Sequence, residues 1–181
     1  MPNIFLISDT HFGHASICKF VTEDGSKVRP WDNPQDMDDF MIEKWNHTVR
    51  PKDKIYHLGD VAINRNCLKI LEKLNGEKVL IKGNHDIFKI KDYLQYFKDV
   101  RSFHKLDKFI ITHFPIHASC IPNWMLCNFH GHTHTRRITK TDGSIDTSYF
   151  NLCVECIDYT PISFEDAKKK FFQQLGENNV K

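Results

Sequence analysis

The chain opens on an unbroken apolar run, Asn3-Ile4-Phe5-Leu6-Ile7-Ser8-Asp9, that ends in a carboxylate. A run without alternation predicts a strand covered on both faces. The theme returns in Lys54-Ile55-Tyr56-His57-Leu58-Gly59-Asp60 and in Lys78-Val79-Leu80-Ile81-Lys82-Gly83-Asn84, each closing on a glycine and a polar side chain. Helical spacings lie between. Asn33-Pro34, then Asp36, Met37, Phe40, Met41 and Trp45, predict a helix to Val49 with acids in its first turn, closed by Pro51. Leu68, Leu71 and Leu74 mark a second helix, stopped by Asn75-Gly76. Strand, helix, strand, helix, strand argues for a largely parallel sheet with right-handed crossovers. The segment from His11 to Trp31 has no period and reads as a surface loop, and a loop of that length in a small domain usually has a function.

Past a short helix from Lys91 to Phe97 the pattern changes to closely spaced strands and tight turns. Val100 to Leu106 and Lys108 to Phe114 flank Asp107 as a hairpin, followed by strands at Asn128 to Gly131, Thr135 to Thr139 and Tyr149 to Ile157, with Thr141-Asp142-Gly143-Ser144 as a turn. Ser163, with Asp166 three positions on, forms a capping box for a last helix whose apolar face is Phe164, Ala167, Phe171, Phe172 and Leu175. No repeat, linker or low-complexity stretch interrupts the chain. One layered α/β domain over residues 1–181, with parallel and antiparallel strands, accounts for all of it.

Composition narrows the class. Hydrophobic residues make up 40% of the 181, enough for a real core. Lys and Arg exceed Asp and Glu by only 25 against 23, so nothing marks the chain as a binder of polyanions, and nucleic acid is not the favoured partner. Without an apolar span or an export signal, the expectation is a cytoplasmic protein with no membrane contact. The sequence gives no indication of an oligomeric state. Six cysteines are too few for a disulfide scaffold, and Cys153 and Cys156 lack the second pair that a zinc knuckle needs.

Histidine is the richer signal, with eleven residues, many of them at strand ends or in glycine turns. Five segments carry metal-competent side chains: Asp9-Thr10-His11, Gly59-Asp60, Gly83-Asn84-His85-Asp86, Thr112-His113 and Gly131-His132-Thr133-His134. Carboxylates with imidazoles suit borderline divalent ions. Asp9, Asp60 and Asn84 each end a strand of one presumptive sheet, so they should converge at its carboxyl edge. Gly59, Gly83 and Gly131 suit turns or close approach to a ligand.

The ordered series Asp-x-His, Gly-Asp, Gly-Asn-His-Asp, His and Gly-His-x-His, from residue 9 to residue 134, resembles the calcineurin-like metallophosphoesterase superfamily. Asp9 to His14, Arg29-Pro30-Trp31 and Tyr56 to Asp60 further resemble its small bacterial and phage-type members. The resemblance implies a four-layer α/β/β/α sandwich with mixed sheets and a centre of two divalent metal ions. Asp9, His11 and His134 would hold the first ion, Asn84, His113 and His132 the second, and Asp60 would bridge them. Manganese is the first expectation, with nickel, iron or zinc as alternatives. A water shared by the two ions would then attack phosphorus. The resemblance casts His85 as the group that protonates the leaving alcohol or steadies the phosphoryl oxygens, and Asp86 as the residue that orients its ring.

Further residues compete for the substrate. His14, Arg65 and His117 are candidates for its phosphate, Arg29, Arg136 and Arg137 are other cations within reach, and Trp31 and Trp124 could stack on a base or cover the core edge. His57, inside an apolar strand, reads as a buried, hydrogen-bonded imidazole. The expected activity is hydrolysis of a phosphoester, a phosphodiester first, on a small phosphorylated or nucleotide-like substrate. The alternatives are a phosphomonoesterase and a non-catalytic metal-binding scaffold or regulatory protein.

Overall fold

In the computed structural model, which describes residues 2–22 and 24–178, two mixed sheets are flanked by helices. In chain order the strands are β1 (Ile4–Ile7), β2 (Lys54–His57), β3 (Glu77–Ile81), β4 (Asp99–Arg101), β5 (Phe103–Leu106), β6 (Phe109–Thr112), β7 (Cys127–His130), β8 (Tyr149–Asn151) and β9 (Ile162–Ser163). The α-helices are α1 (Pro34–Thr48), α2 (Ile90–Tyr93) and α3 (Phe164–Asn178). The first sheet has the order β4-β3-β2-β1-β9, its first four strands parallel and β9 antiparallel to β1. The second runs β5-β6-β7-β8, an antiparallel hairpin extended by two parallel strands.

Register positions the site. Ile7 pairs with His57 and His57 with Leu80, so β1, β2 and β3 end level with one another. The chains stay paired past the strand ends, where the N–H groups of Asp9, His11 and Phe12 donate to the carbonyls of Gly59, Asp60 and Val61 at 2.9 to 3.0 Å. The second sheet joins the same edge through Val154 N–H to the Ser8 carbonyl at 3.1 Å and an isolated bridge between Ser8 and Cys153.

Helix α1 starts where its sequence says it should. Pro34 occupies the first turn, Asn33 Oδ1 accepts from the Asp36 N–H at 2.9 Å, and Met37, Met41 and Trp45 are buried. Ser163 Oγ likewise accepts from the Asp166 N–H at 3.0 Å to open α3. Phe171 of α3 meets Phe109 of β6 with ring centroids 5.4 Å apart, and Phe109 meets Phe129 of β7 at 4.4 Å. This aromatic cluster fastens the second sheet to the helix beside it. His57 is fully buried and bonded to Thr10 Oγ1 at 2.9 Å, the role expected of it, and burial pushes its pKa down to about 3.

Several elements differ from expectation. The leucine segment is a 3-10 helix over Arg65–Lys73 rather than an α-helix. Leucines spaced strictly by three fall on one side of three residues per turn, whereas an α-helix would carry the third around the cylinder. The run Val100 to Leu106 is two strands: β4 ends in the first sheet, Ser102 breaks the chain, and β5 starts the second. Thr135 to Thr139 forms no strand beyond a single bridge from Thr139 to Ile145, which closes the predicted turn. The strand expected from Tyr149 to Ile157 stops at Asn151, whose side chain turns back to the Cys153 N–H at 2.8 Å before a 3-10 turn at Val154–Cys156. Phe172 is 52% exposed and stands outside the core face of α3.

This packing separates two neighbouring aromatic positions. Phe109→Ala should lower the unfolding free energy by about 3 to 5 kcal/mol in urea denaturation. Phe172→Ser should change it by no more than about 0.5 kcal/mol. Equal losses would refute the assignment of the core face.

Candidate metal centre

At the level ends of the strands, two groups of side chains could each hold a metal ion. One ligand atom each from Asp9, His11 and His134 lies within 4.8 Å of the others, and the same holds for Asp60, His113 and His132. Asn84 joins the second group, its Oδ1 standing 2.8 Å from His113 Nε2. Asp60 faces both: its Oδ2 is 3.7 Å from His11 Nε2 and 3.5 Å from His113 Nε2. Its Oδ1 accepts the His85 N–H at 2.8 Å.

The backbone at these residues is strained. Asp9, His11, Asp60, His132 and His134 have φ of 59°, 49°, 56°, 68° and 50°, in the left-handed region. Such conformations cost roughly 1 to 3 kcal/mol each and persist where the surroundings over-determine them. Glycine makes those surroundings possible. A Cβ on Gly131 would lie 2.3 Å from Asp9 Oδ2, and one on Gly83 would lie 2.3 Å from Asp60 Oδ1.

Unsatisfied polar atoms mark where an ion fits. Asp9 Oδ2 accepts from Ser8 Oγ at 2.5 Å, the His132 N–H at 2.9 Å and Cys153 Sγ at 3.2 Å. Among the described residues, Asp9 Oδ1 and both ring nitrogens of His11 are buried without a hydrogen-bond partner. Leaving such atoms dry costs free energy that a cation would relieve. The protonation states agree. Burial pushes His11 down to about 4, so its ring is neutral at pH 7, and His132 is lowered for the same reason. Burial alone would raise Asp9, but His11, His113 and the Ser8 hydroxyl outweigh it and hold the carboxyl below its usual range. Asp60, chiefly through burial, is pushed up to about 6, a cost that adjacent cations would remove.

Residues 3–152 match the profile of the Calcineurin-like phosphoesterase superfamily domain. The chain belongs to the calcineurin-like phosphoesterase superfamily. An uncharacterized protein of Methanocaldococcus jannaschii is 35% identical to it over 176 residues, 91% of this chain and 89% of that protein. The Gene 66 protein of Mycobacterium phage D29 is 30% identical, over 78% of this chain and 83% of its own. Among solved structures, a protein of unknown function from Aquifex aeolicus superposes with a TM-score of 0.71 at 26% identity, covering 93% of this chain and 99% of that one. These relatives place the chain with small archaeal, bacterial and phage-type calcineurin-like proteins.

Around this calcineurin-like centre some expectations need correction. The oxygens of Asp86 take the backbone N–H groups of Gly83, Asp60 and Val61 at 2.8 to 3.1 Å, so Asp86 staples the loops together instead of orienting the His85 ring. His85 itself is at the centre, exposed, with its ring 5.4 Å from that of His11. His14 is there too, its ring centroid 5.5 Å from that of His11 and its Nδ1 buried without a hydrogen-bond partner among the described residues. Arg65 instead pairs with Asp92. His117 is exposed and bonded to Ser119 Oγ at 2.8 Å as the cap of a 3-10 turn. Trp31 covers the core edge against Phe40 and Tyr159, with ring centroids 5.1 and 4.7 Å away, whereas Trp124 is 70% exposed. Among the described residues, no helix is long and apolar enough to cross a membrane.

Arg29 is wholly buried, and its donors are spent inside the protein. Its guanidinium donates to the carbonyls of Asp9 at 2.5 Å and Thr10 at 2.8 Å and, through Nε, to Glu155 at 2.8 Å. Glu155 Oε1 also meets His134 Nδ1 at 3.0 Å. Burial would lower the His134 pKa, but the bond to Glu155 prevails and raises it. Sequence reading missed Glu155, although a lone carboxylate within Cys153-Val154-Glu155-Cys156-Ile157 signals a buried charge in need of a partner. Its bond leaves His134 Nε2 free to face an ion and fixes the ring.

Glu155→Ala should therefore weaken the tighter of two manganese-binding steps by about 10- to 100-fold in calorimetric titration of metal-free protein. It should also lower the melting temperature, because Arg29 loses its counter-charge. Unchanged manganese affinity would remove Glu155 from the centre.

Proposed function

We propose that this protein is a metal-dependent phosphoesterase that hydrolyses phosphodiesters at a centre of two divalent ions. The observation that carries the reading is the single Asp60 carboxylate oxygen within 3.7 Å of imidazoles from both candidate groups. One side chain so placed suits a shared ligand. Asp9, His11 and His134 are the proposed ligands of one ion and Asn84, His113 and His132 of the other. Such ions, when bound, supply positive charge against phosphoryl oxygens and bring the pKa of a water near neutrality. Manganese is our choice, and iron, nickel and zinc suit the same donors.

The remaining work falls to the chain. Asp9 and Asp60 contribute two negative charges against the four of two divalent cations, while Asn84 adds a neutral oxygen, so an anionic ester is attracted. His85 stands at the open side on a turn held by Asp86 and by its own N–H to Asp60. From there its ring donates a proton to the departing ester oxygen. Diester preference is supported by the engagement of two candidate phosphate-binding cations elsewhere, which leaves Arg136 in the adjoining cavity: Arg29 is buried in internal bonds and Arg65 is paired with Asp92. A monoanionic diester needs less compensation than a dianionic monoester.

Elemental analysis should find two divalent ions per chain in the parent, and bis(p-nitrophenyl) phosphate should be hydrolysed faster than p-nitrophenyl phosphate. Asp60→Ala should lose both the paired ions and turnover. No hydrolysis of either ester with manganese, iron, nickel or zinc would refute the enzyme reading. His85→Ala should keep both ions and lose roughly 100- to 10,000-fold in rate, most for poor leaving groups. An equal loss for good and poor leaving groups would reassign His85 from proton donor to charge stabiliser.

A further inference from the structure

Next to the first ligand group the surface sinks into a cavity of about 660 Å³, lined by Ile17, Phe20, Val28, Thr133, His134 and Arg136 among others. We propose that this cavity binds the organic part of the phosphoester, and that this part is a flat heterocycle on a sugar, the nucleoside of a nucleotide ester. The assignment rests on the phosphoesterase reading and deepens it.

Continuity with the centre is the first argument. His134 belongs to the candidate ligand group and to the cavity wall alike. His14 spans the gap between them, its ring 5.5 Å from His11 on one side and 6.0 Å from Phe20, edge to face, on the other. A phosphoryl group at the ligand residues thus has the cavity as its neighbour, and an ester substituent can enter without leaving the protein surface.

The lining says what fits. Phe20 and Val21 are 51% and 60% exposed, which leaves an aromatic ring and an aliphatic side chain open to a ligand in a concave setting. The half-buried Val28 extends that apolar surface, while the exposed Thr135 hydroxyl and Arg136 guanidinium give it a polar side. A hydrocarbon chain would leave the polar groups without partners, and a purely polar ester would leave Phe20 bare. A heterocycle uses both, through its faces and its edge. The volume falls within the roughly 300 to 1,000 Å³ of small-molecule sites and exceeds what a methyl or ethyl ester would fill. The walls come largely from the aperiodic loop between His11 and Trp31, which gives that long segment a function.

Equilibrium binding tests the cavity separately from turnover. With manganese present, adenosine 5′-monophosphate should bind the parent more tightly than methyl phosphate by about tenfold or more, the size of one base–aromatic contact. Phe20→Ala should bring that ratio close to one. Val21→Asp, which puts a negative charge on an exposed position of the same wall, should do likewise and guards against a folding defect in the first variant. Equal affinities in the parent, or an undiminished ratio in both variants, would overturn the proposal. Failure to hydrolyse any phosphodiester would sink the phosphoesterase reading alone, since the affinity ratio still decides whether the cavity takes a nucleoside.

Discussion

The structure depends on the close approach of two backbones, the turns that follow β2 and β3. A Cβ on Gly59 would lie 2.6 Å from the Gly83 nitrogen and 2.7 Å from His113 Nδ1, closer than any side chain can come. Gly59 also has φ of 98°, which only glycine adopts without strain. That contact lets the Asp60 carboxylate reach both ligand groups, and lets Asp86 bind the N–H groups of both turns at once. A site that must gather side chains from many segments can be no more accurate than the spacing between its turns.

What holds this edge together is polar and buried. Arg29 fixes the carbonyls of Asp9 and Thr10 from below and ties them to Glu155, so the first ligand loop and His134 share one anchor. Three donors saturate one oxygen of Asp9 and leave the other bare. Left-handed backbone at five candidate ligands adds strain that these bonds sustain. Apolar packing elsewhere, such as the Phe109, Phe129 and Phe171 cluster, supplies the rigidity against which the strained edge is held.

Much of this was legible in the sequence, for physical reasons. Apolar runs ending in Gly-Asp or Gly-Asn can only be buried strands feeding tight turns, and the parallel order then brings their ends together. The helix begun by Asn33-Pro34 announces itself through its cap. Harder to read were features set by tertiary contact. Ser102 passes the chain from one sheet to the other without any change in local pattern, because the flanking strands, Asp-Val-Arg and Phe-His-Lys-Leu, both mix apolar with charged residues. Likewise, nothing local tells Asp86 to bind backbone instead of the ring of His85 beside it, since that choice depends on turns far away in the chain. Arg29 and Glu155 lie more than a hundred positions apart, and only the fold reveals that each is the other's counter-charge.

The central claim is that one carboxylate serves two ions. Anomalous diffraction from crystals equilibrated with manganese tests it most directly. Two peaks are expected, one beside Asp9, His11 and His134 and one beside Asn84, His113 and His132, with the Asp60 carboxylate between them and in contact with both. A single peak, or a second peak that Asp60 does not touch, would contradict it.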